Sequence, residues 1–229
     1  MFAIGGLPAI LVGLIRYGVK ESSRWEARRR DTKAPHPLAA FRALFAPAYA
    51  RRTVLNSCYL LVSMVGLWAG SVYVPTSIRE IALREGYAPL RIDQLASYAT
   101  MLLSAGTILG CIVLPPIAER LGRRATLGVY FAITAASIAI GFGYVFYLPA
   151  NALGWFMGVL FLLGIGGANF AMYTLWLPEQ YTTDCRASAF AFATSSGRFI
   201  GAGITFLVGA GVAHYKTVGT PVAMTAVAF

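Results

Sequence analysis

The sequence predicts an all-α integral membrane protein, and three observations carry that expectation. Charge is scarce: 12% of the 229 residues are charged and 58% are hydrophobic, with a mean hydropathy of +0.66, where a soluble domain has about a quarter of its residues charged. Charge is also segregated, with no charged residue in 94–118 or in 125–178. The apolar runs between charged turns are 24–27 residues long, enough to cross a hydrocarbon core that takes about 20 residues of helix.

Residues 1–18 are apolar as far as Ile15, and Arg16 and Lys20 come after the apolar part. That order opposes a signal peptide, whose positive charges come first. The segment reads as the end of a membrane helix leaving toward the cytoplasm. Its fifteen uncharged residues are fewer than a span needs, so the chain is expected to begin inside a helix, as a fragment. Segment 19–52 reads as a long cytoplasmic loop, with nine Lys/Arg, three of them the run Arg28, Arg29 and Arg30, against three acidic residues. Pro35 and Pro37 break it. Leu38, Phe41, Leu44 and Phe45 then recur at helical spacing, with Arg42 between them. They predict a short amphipathic helix lying on the inner membrane face, or a helix packed on the ends of the bundle.

Five full spans are expected, at 53–77, 94–118, 125–148, 153–177 and 187–213. Residues 78–93 balance three basic against three acidic residues, as an outer loop would. Pro149, Ala150 and Asn151 make a tight outer turn. Pro115 to Arg124 is read as a charged inner turn, 178–186 as a second one, and 219–229 as the start of a last helix, too short to cross. The loops so assigned to the inside hold thirteen Lys/Arg and those assigned to the outside four, an excess that orients the chain. Four spans carry glycines one turn apart, Gly66/Gly70, Gly106/Gly110, Gly154/Gly158 and Gly197/Gly201. Such pairs let helix backbones approach where lipid supplies no hydrophobic drive between helices.

Composition excludes several function classes. The net charge of +10 lies in membrane-flanking loops, and no basic recognition helix exists to take a nucleic acid. Cys58, Cys111 and Cys185 are scattered, and neither His36 nor His214 has ligand-type neighbours, so the sequence points to no disulfide framework, metal or other cofactor. The patch Gly164, Gly166, Gly167 lies inside an apolar run with no strand before it, so it is no nucleotide loop. No paired acids or activated nucleophile mark an enzyme, and no filter sequence marks a channel.

Arg198 interrupts the 187–213 run about 16 Å from its start, near the middle of a ~30 Å core. A cation so placed must face a cavity or a partner. No Asp, Glu or His occurs in any of the five runs. The partner is then an acidic residue from elsewhere, a substrate anion, or water and backbone carbonyls. Asn169 and Tyr173, one turn apart, are the polar groups expected to help line a substrate cavity, with Trp68, Tyr73, Ser104 and Thr107 beside them; packing or interfacial anchoring is the competing role for the aromatic residues.

Three loop segments resemble a known family. Lys20-Glu21-Ser22-Ser23-Arg24-Trp25 is similar to the Pro-Glu-Ser-Pro-Arg-Trp that follows the sixth helix of many major facilitator superfamily transporters. Glu119-Arg120-Leu121-Gly122-Arg123-Arg124 resembles that superfamily's Asp-Arg-x-Gly-Arg-Arg loop, with Glu119 for Asp and Pro115 where the signature has its first Gly. Pro178-Glu179 through Arg186-Ala187 resembles its Pro-Glu…Pro-Thr…Arg-Ala segment, with Thr182 in place of Pro. The resemblance, to a metabolite or organic-acid/proton symporter or a sugar-porter-like branch, implies a partial fold: the end of helix six, the central loop, helices seven to eleven and the start of helix twelve. It implies alternating access in a cell (inner) membrane, a small organic solute and a proton as partners, and a separate amino-terminal half. Arg198 favours an organic anion or carboxylate as the solute, and a neutral sugar or polyol is the alternative. The resemblance also favours a cytoplasmic gating latch built from Glu119, Arg120, Gly122, Arg123, Arg124, Glu179 and Arg186, in which Arg120, Arg123 or Arg124 pairs with Glu179, with Asp184 nearby; anchoring of the topology is the competing role for these arginines.

Overall fold

The computed structural model describes residues 37–183 and 185–229, together with Val12, Gly13, Ile15 and Gly18, which are helical. The rest of the expected helix 1–18, the segment 19–36 and Asp184 lie outside the described residues. Two units are distinguished, Met1–Ala40 and Phe41–Phe229, and the second holds the helical bundle.

Helix α1 is Pro37–Leu44. Helices α2, Ala50–Val72, and α3, Val74–Arg84, follow each other with Tyr73 between them. Pro75, near the start of α3, has no N–H to donate to the preceding turn, which interrupts the helix there. Helix α4 is Pro89–Leu121 and α5 is Arg123–Gly143, extended by a 3-10 turn at Val145–Tyr147. Helices α6, Ala152–Gly167, and α7, Asn169–Glu179, are separated at Ala168. The Ala168 N–H is shared between the Gly164 and Ile165 carbonyls, both at 3.2 Å, the local tightening that breaks a helix without orphaning its backbone. Helix α8 is Arg186–Tyr215, and α9, Gly219–Met224, leads into a 3-10 turn at Thr225–Ala228. The described residues hold five helical stretches long and apolar enough to cross a membrane: Ala50–Arg84, Pro89–Leu121, Arg123–Tyr147, Ala152–Glu179 and Arg186–Tyr215.

Several helix ends lie beyond the apolar runs. The expected outer loop 78–93 is largely helical. Helix α3 buries Val74, Ser77, Ile78, Ile81 and Ala82, one face at helical spacing, and keeps Arg79 and Arg84 off that face. Charge here marks the exit from the hydrocarbon layer, while the amphipathic face carries the helix on. The expected turn from Pro115 to Arg124 shrinks to Gly122 alone, because α4 continues through Pro115 and Pro116. Both prolines fall in the last two turns, next to the charged end, where water can serve the carbonyls they free. Gly122 has φ 83° and ψ 158°, a backbone region that is open to glycine and closed to nearly every other residue.

Packing is closest where glycines meet. A Cβ on Gly106 would collide with the Phe161 carbonyl oxygen, and one on Gly164 with the Leu103 carbonyl oxygen. At Gly110 it would stand 2.6 Å from the Ala168 Cβ, and at Gly166 2.6 Å from the Thr134 hydroxyl oxygen. Helices α4 and α6 therefore touch backbone to backbone, with α5 on the other side of α6. Gly197 and Gly201 face α2 more loosely, and nothing lies within 4 Å of a Cβ at Gly154 or Gly158. One of the four glycine pairs singled out in the sequence thus makes no close approach.

Two apolar clusters fill the bundle. At the end made inner by the charge rule, Leu60, Leu114, Tyr130, Met172 and Leu177 pack with Leu44 of α1, and Phe41 and Phe45 lay their rings on Phe192 at 5.5 and 5.3 Å. At the outer end, Ile78, Ile81, Phe142, Phe146 and Phe156 pack around α3. The polar groups of α3 then hold its neighbours' ends. Glu80 accepts from the Val218 N–H at 3.4 Å and from the Thr217 hydroxyl at 3.3 Å. Glu85 accepts from the Leu153 N–H at 3.2 Å, and Arg84 donates to the Phe146 carbonyl and covers its ring. Carboxylates thus meet helix N-termini and a guanidinium meets the end of α5, the pairing that helix dipoles favour.

Gly164→Ala should force α4 and α6 apart and lower stability by about 1–3 kcal/mol, the usual cost of overpacking. Gly158→Ala, a substitution into open space within a helix, should leave stability unchanged or raise it by up to about 1 kcal/mol. Thermal unfolding of the two variants in detergent, followed by circular dichroism, checks the contrast.

Candidate functional site

The sequence-derived candidates fall in three places. The first is the inner end. Gly122 joins α4 to α5 and brings Arg123, the first residue of α5, beside Glu179, the last of α7. The Arg123 Nη2 lies 3.0 Å from the Glu179 Oε1 and its Nε 3.5 Å from Oε2, a forked ion pair. The side chains are 31% and 51% exposed. An ion pair so open to water adds little to stability. Arg120 and Arg124 make no ion pair among the described residues. Glu119 is exposed, and Arg186 donates instead to the Tyr181 carbonyl at 3.5 Å. Of the seven residues grouped as a latch, the structure pairs two.

The second place is the interior. Asn169 opens α7, just past the break at Ala168, and is 1% exposed. Its Nδ2 reaches the Thr134 hydroxyl at 3.5 Å, and its Oδ1 has no partner among the described residues. Tyr173, one turn on, is fully buried, and its hydroxyl shares a 2.9 Å hydrogen bond with that of Ser63 on α2. These side chains face the packed core and tie α7 to α5 and α2. The cavity-lining role read from their polarity does not follow from this geometry, because polarity in a span demands a partner without saying on which side the partner lies.

Arg198 is the third place, and it differs in kind. It lies on the exposed side of α8, twelve residues from the helix start, which at about 1.5 Å per residue is ~18 Å along the axis. Its neighbours Gly197 and Gly201 turn inward against α2. No hydrogen bond or ion pair engages Arg198 among the described residues, and no hydrogen bond joins it to Asn169 or Tyr173.

A polar face on α4 escaped the sequence reading. Ser97, Thr100 and Ser104 stand exposed one turn apart and line two adjoining hollows of about 380 and 540 Å³. Pro75, Thr76, Arg79 and Asp93 complete the first hollow, and Arg79 and Asp93 form a 2.6 Å ion pair across it. Each of the three hydroxyls donates to the carbonyl four residues back, at 2.9–3.0 Å, which leaves its lone pairs free to accept. The spacing of Ser97, Thr100 and Ser104 carried the signal. Of these, Ser104 alone was singled out, with Thr107, which lies on a half-buried side of the helix.

Comparison with known proteins agrees with this architecture. Residues 1–216 match the Major Facilitator Superfamily. The chain is similar to a "Probable 4-methylmuconolactone transporter" of Cupriavidus pinatubonensis, at 30% identity over 92% of this chain and 45% of the relative. It is similar to the "Inner membrane metabolite transport protein YgcS" of Escherichia coli, at 26% identity over 90% and 47%. It is also similar to the "Niacin transporter NiaP" of Acinetobacter baylyi, at 30% identity over 87% and 48%. The chain thus spans about half the length of these relatives. No solved structure matches it.

If the Arg123–Glu179 pair holds the inner end closed, Arg123→Glu or Glu179→Arg alone should speed amide hydrogen exchange across 176–183 several-fold. The double swap should bring it back to within about twofold of the native rate, since a close charge pair is restored. Exchange in the double variant as fast as in the single ones removes the latch.

Proposed function

The chain belongs to the Major Facilitator Superfamily, and from that premise we propose that it is the carboxy-terminal part of a secondary transporter. The transporter moves a small organic anion across a cell's inner membrane by alternating access. The single observation that carries the choice of an anion is Arg198: a guanidinium partway along a membrane helix, on the surface of this unit, with no protein carboxylate engaging it among the described residues. A cation at that depth is costly unless it meets water or an anion. Two of the relatives are named for 4-methylmuconolactone and niacin, both small organic acids, which supports the same class. Nothing favours the neutral-sugar alternative.

In this reading the substrate lies between the present unit and an amino-terminal half, against the sides of α4 and α8 that this chain leaves open. Arg198 takes the carboxylate, and the hydroxyls of Ser97, Thr100 and Ser104 accept from donors on the solute. Asn169 and Tyr173 act from behind, fixing α7 at the break beside Ala168. The Arg123–Glu179 pair closes the inner end and releases it when the halves rock. Proton coupling, expected from the family resemblance, would need a carrier outside the five apolar runs, which contain no Asp, Glu or His.

Uptake of labelled niacin and other small carboxylates into vesicles bearing the longer transporter tests the assignment. Arg198→Ala should lower carboxylate uptake at least tenfold, as expected for loss of a buried charged hydrogen bond to substrate, and Arg198→Lys should restore little, since an ammonium cannot reproduce the fork. Both variants must reach the membrane in native amount. Unchanged uptake in both returns Arg198 to a structural role.

A further inference from the structure

A separate cleft of about 550 Å³ opens at the inner end among α2, α5 and α7. Arg51 and Arg52 come from the start of α2, Arg124 from the start of α5, and Trp176 and Gln180 from the end of α7. Three guanidinium groups from two helices line it against one carboxylate, Glu179, and that carboxylate is already held on both oxygens by Arg123. Arg51 and Arg124 have no hydrogen-bond or ion-pair partner among the described residues. Arg52 is steadied by donating one N–H to the Gln180 carbonyl at 3.2 Å and keeps its other donors.

The wall of the cleft is also short of an acceptor. The Gln180 Oε1 accepts from the Asn56 Nδ2 at 3.1 Å, while the Gln180 Nε2 is buried without a partner among the described residues. That N–H is closed off from solvent, so the donors open to a ligand in the cleft are those of the three arginines. Beside these donors, Leu55, Tyr59 and Trp176 make an apolar side, with the two rings 6.3 Å apart.

We propose that this cleft binds the phosphate of an anionic phospholipid of the inner leaflet. All its arginines sit within three residues of a helix start on the same membrane face, which is headgroup depth. Several planar guanidinium forks suit the multiple oxygens of a phosphate, and basic pockets between membrane helices on the cytoplasmic side recognise anionic headgroups. The apolar side receives the glycerol and the upper acyl carbons. The guanidinium groups do not distinguish a lipid phosphodiester from inorganic phosphate, and the apolar side assigns the lipid.

Native mass spectrometry of the purified 229-residue chain in detergent, titrated with phosphatidylglycerol, phosphatidylcholine or inorganic phosphate, tests this. Phosphatidylglycerol should be retained at least about fivefold over phosphatidylcholine, and the Arg51→Gln/Arg124→Gln double variant should lose that retention about tenfold, given the strength of each basic contact near a membrane surface. Lys216→Gln, at the opposite end, should retain it fully. Helical circular dichroism verifies folding. Should the double variant fail to fold, Arg124→Lys alone should still weaken retention, because the charge stays and the fork is lost. Equal retention of both lipids, or retention unchanged in the arginine variants, overturns the proposal. Displacement of the lipid by millimolar inorganic phosphate overturns the lipid assignment and makes the cleft a soluble-anion site.

Discussion

The backbone contact between α4 and α6 is the constraint on which the rest of the unit depends. Lipid is as apolar as leucine, so helices in a membrane gain nothing by hiding side chains from it. They gain by touching more atoms, and the closest touch is between backbones. Gly106 and Gly164 place each helix against a carbonyl of the other, with Gly110 and Ala168 one step along. The break at Ala168 falls at the end of this contact. Beyond it the chain continues as α7, whose Met172, Tyr173 and Leu177 pack in one cluster with Leu114 and Ala118 of α4.

The two ends of the bundle are built on different principles. At the outer end, α3 sends Glu80, Arg84 and Glu85 to the termini of three neighbours. Each bond satisfies a backbone group at a helix terminus that has no partner within its own helix. At the inner end, the exposed Arg123–Glu179 pair joins α5 to α7, and Thr53 and Asn56 of α2 hydrogen-bond Tyr181 and Gln180 just past α7. Backbone capping is satisfied in one geometry, whereas an exposed charge pair can be exchanged for water at small cost.

Much of the fold was legible because hydrophobicity and charge report directly on the membrane. Apolar runs of 24–27 residues located the cores of the spans, and the charged stretch ending at Arg124 located the turn between two of them without showing that it narrows to Gly122. Helix ends were less legible. Charge says where water begins, and α3 shows a helix running past that point on an amphipathic face. Side-chain direction was the hardest to read. Asn169, Tyr173 and Arg198 share one property in the sequence, polarity within an apolar run. The first two turn inward to Thr134 and Ser63, and the third turns outward. Which way a residue points depends on the helix face set by packing. The glycine pairs show the same limit, since Gly106/Gly110 meets a neighbour and Gly154/Gly158, with the same spacing, meets none. The shared face of Ser97, Thr100 and Ser104 was hidden for the opposite reason: Ser104 was legible singly, and the face emerges only when the spacing of all three is read together.

The turn at Gly122 has a mechanical consequence. A loop of several residues has length to give, so the helices it joins can slide or splay independently. Here a single residue spans the gap between α4 and α5, and its conformation is one that other residues rarely adopt. The two helices share a pin. At that point they cannot translate past each other, and relative movement is restricted to rotation about the pin. Since α5 begins with Arg123, any such rotation swings the guanidinium on a short arm toward or away from Glu179. A small angular change deep in the bundle would thus be felt at its rim, where Arg123 stands.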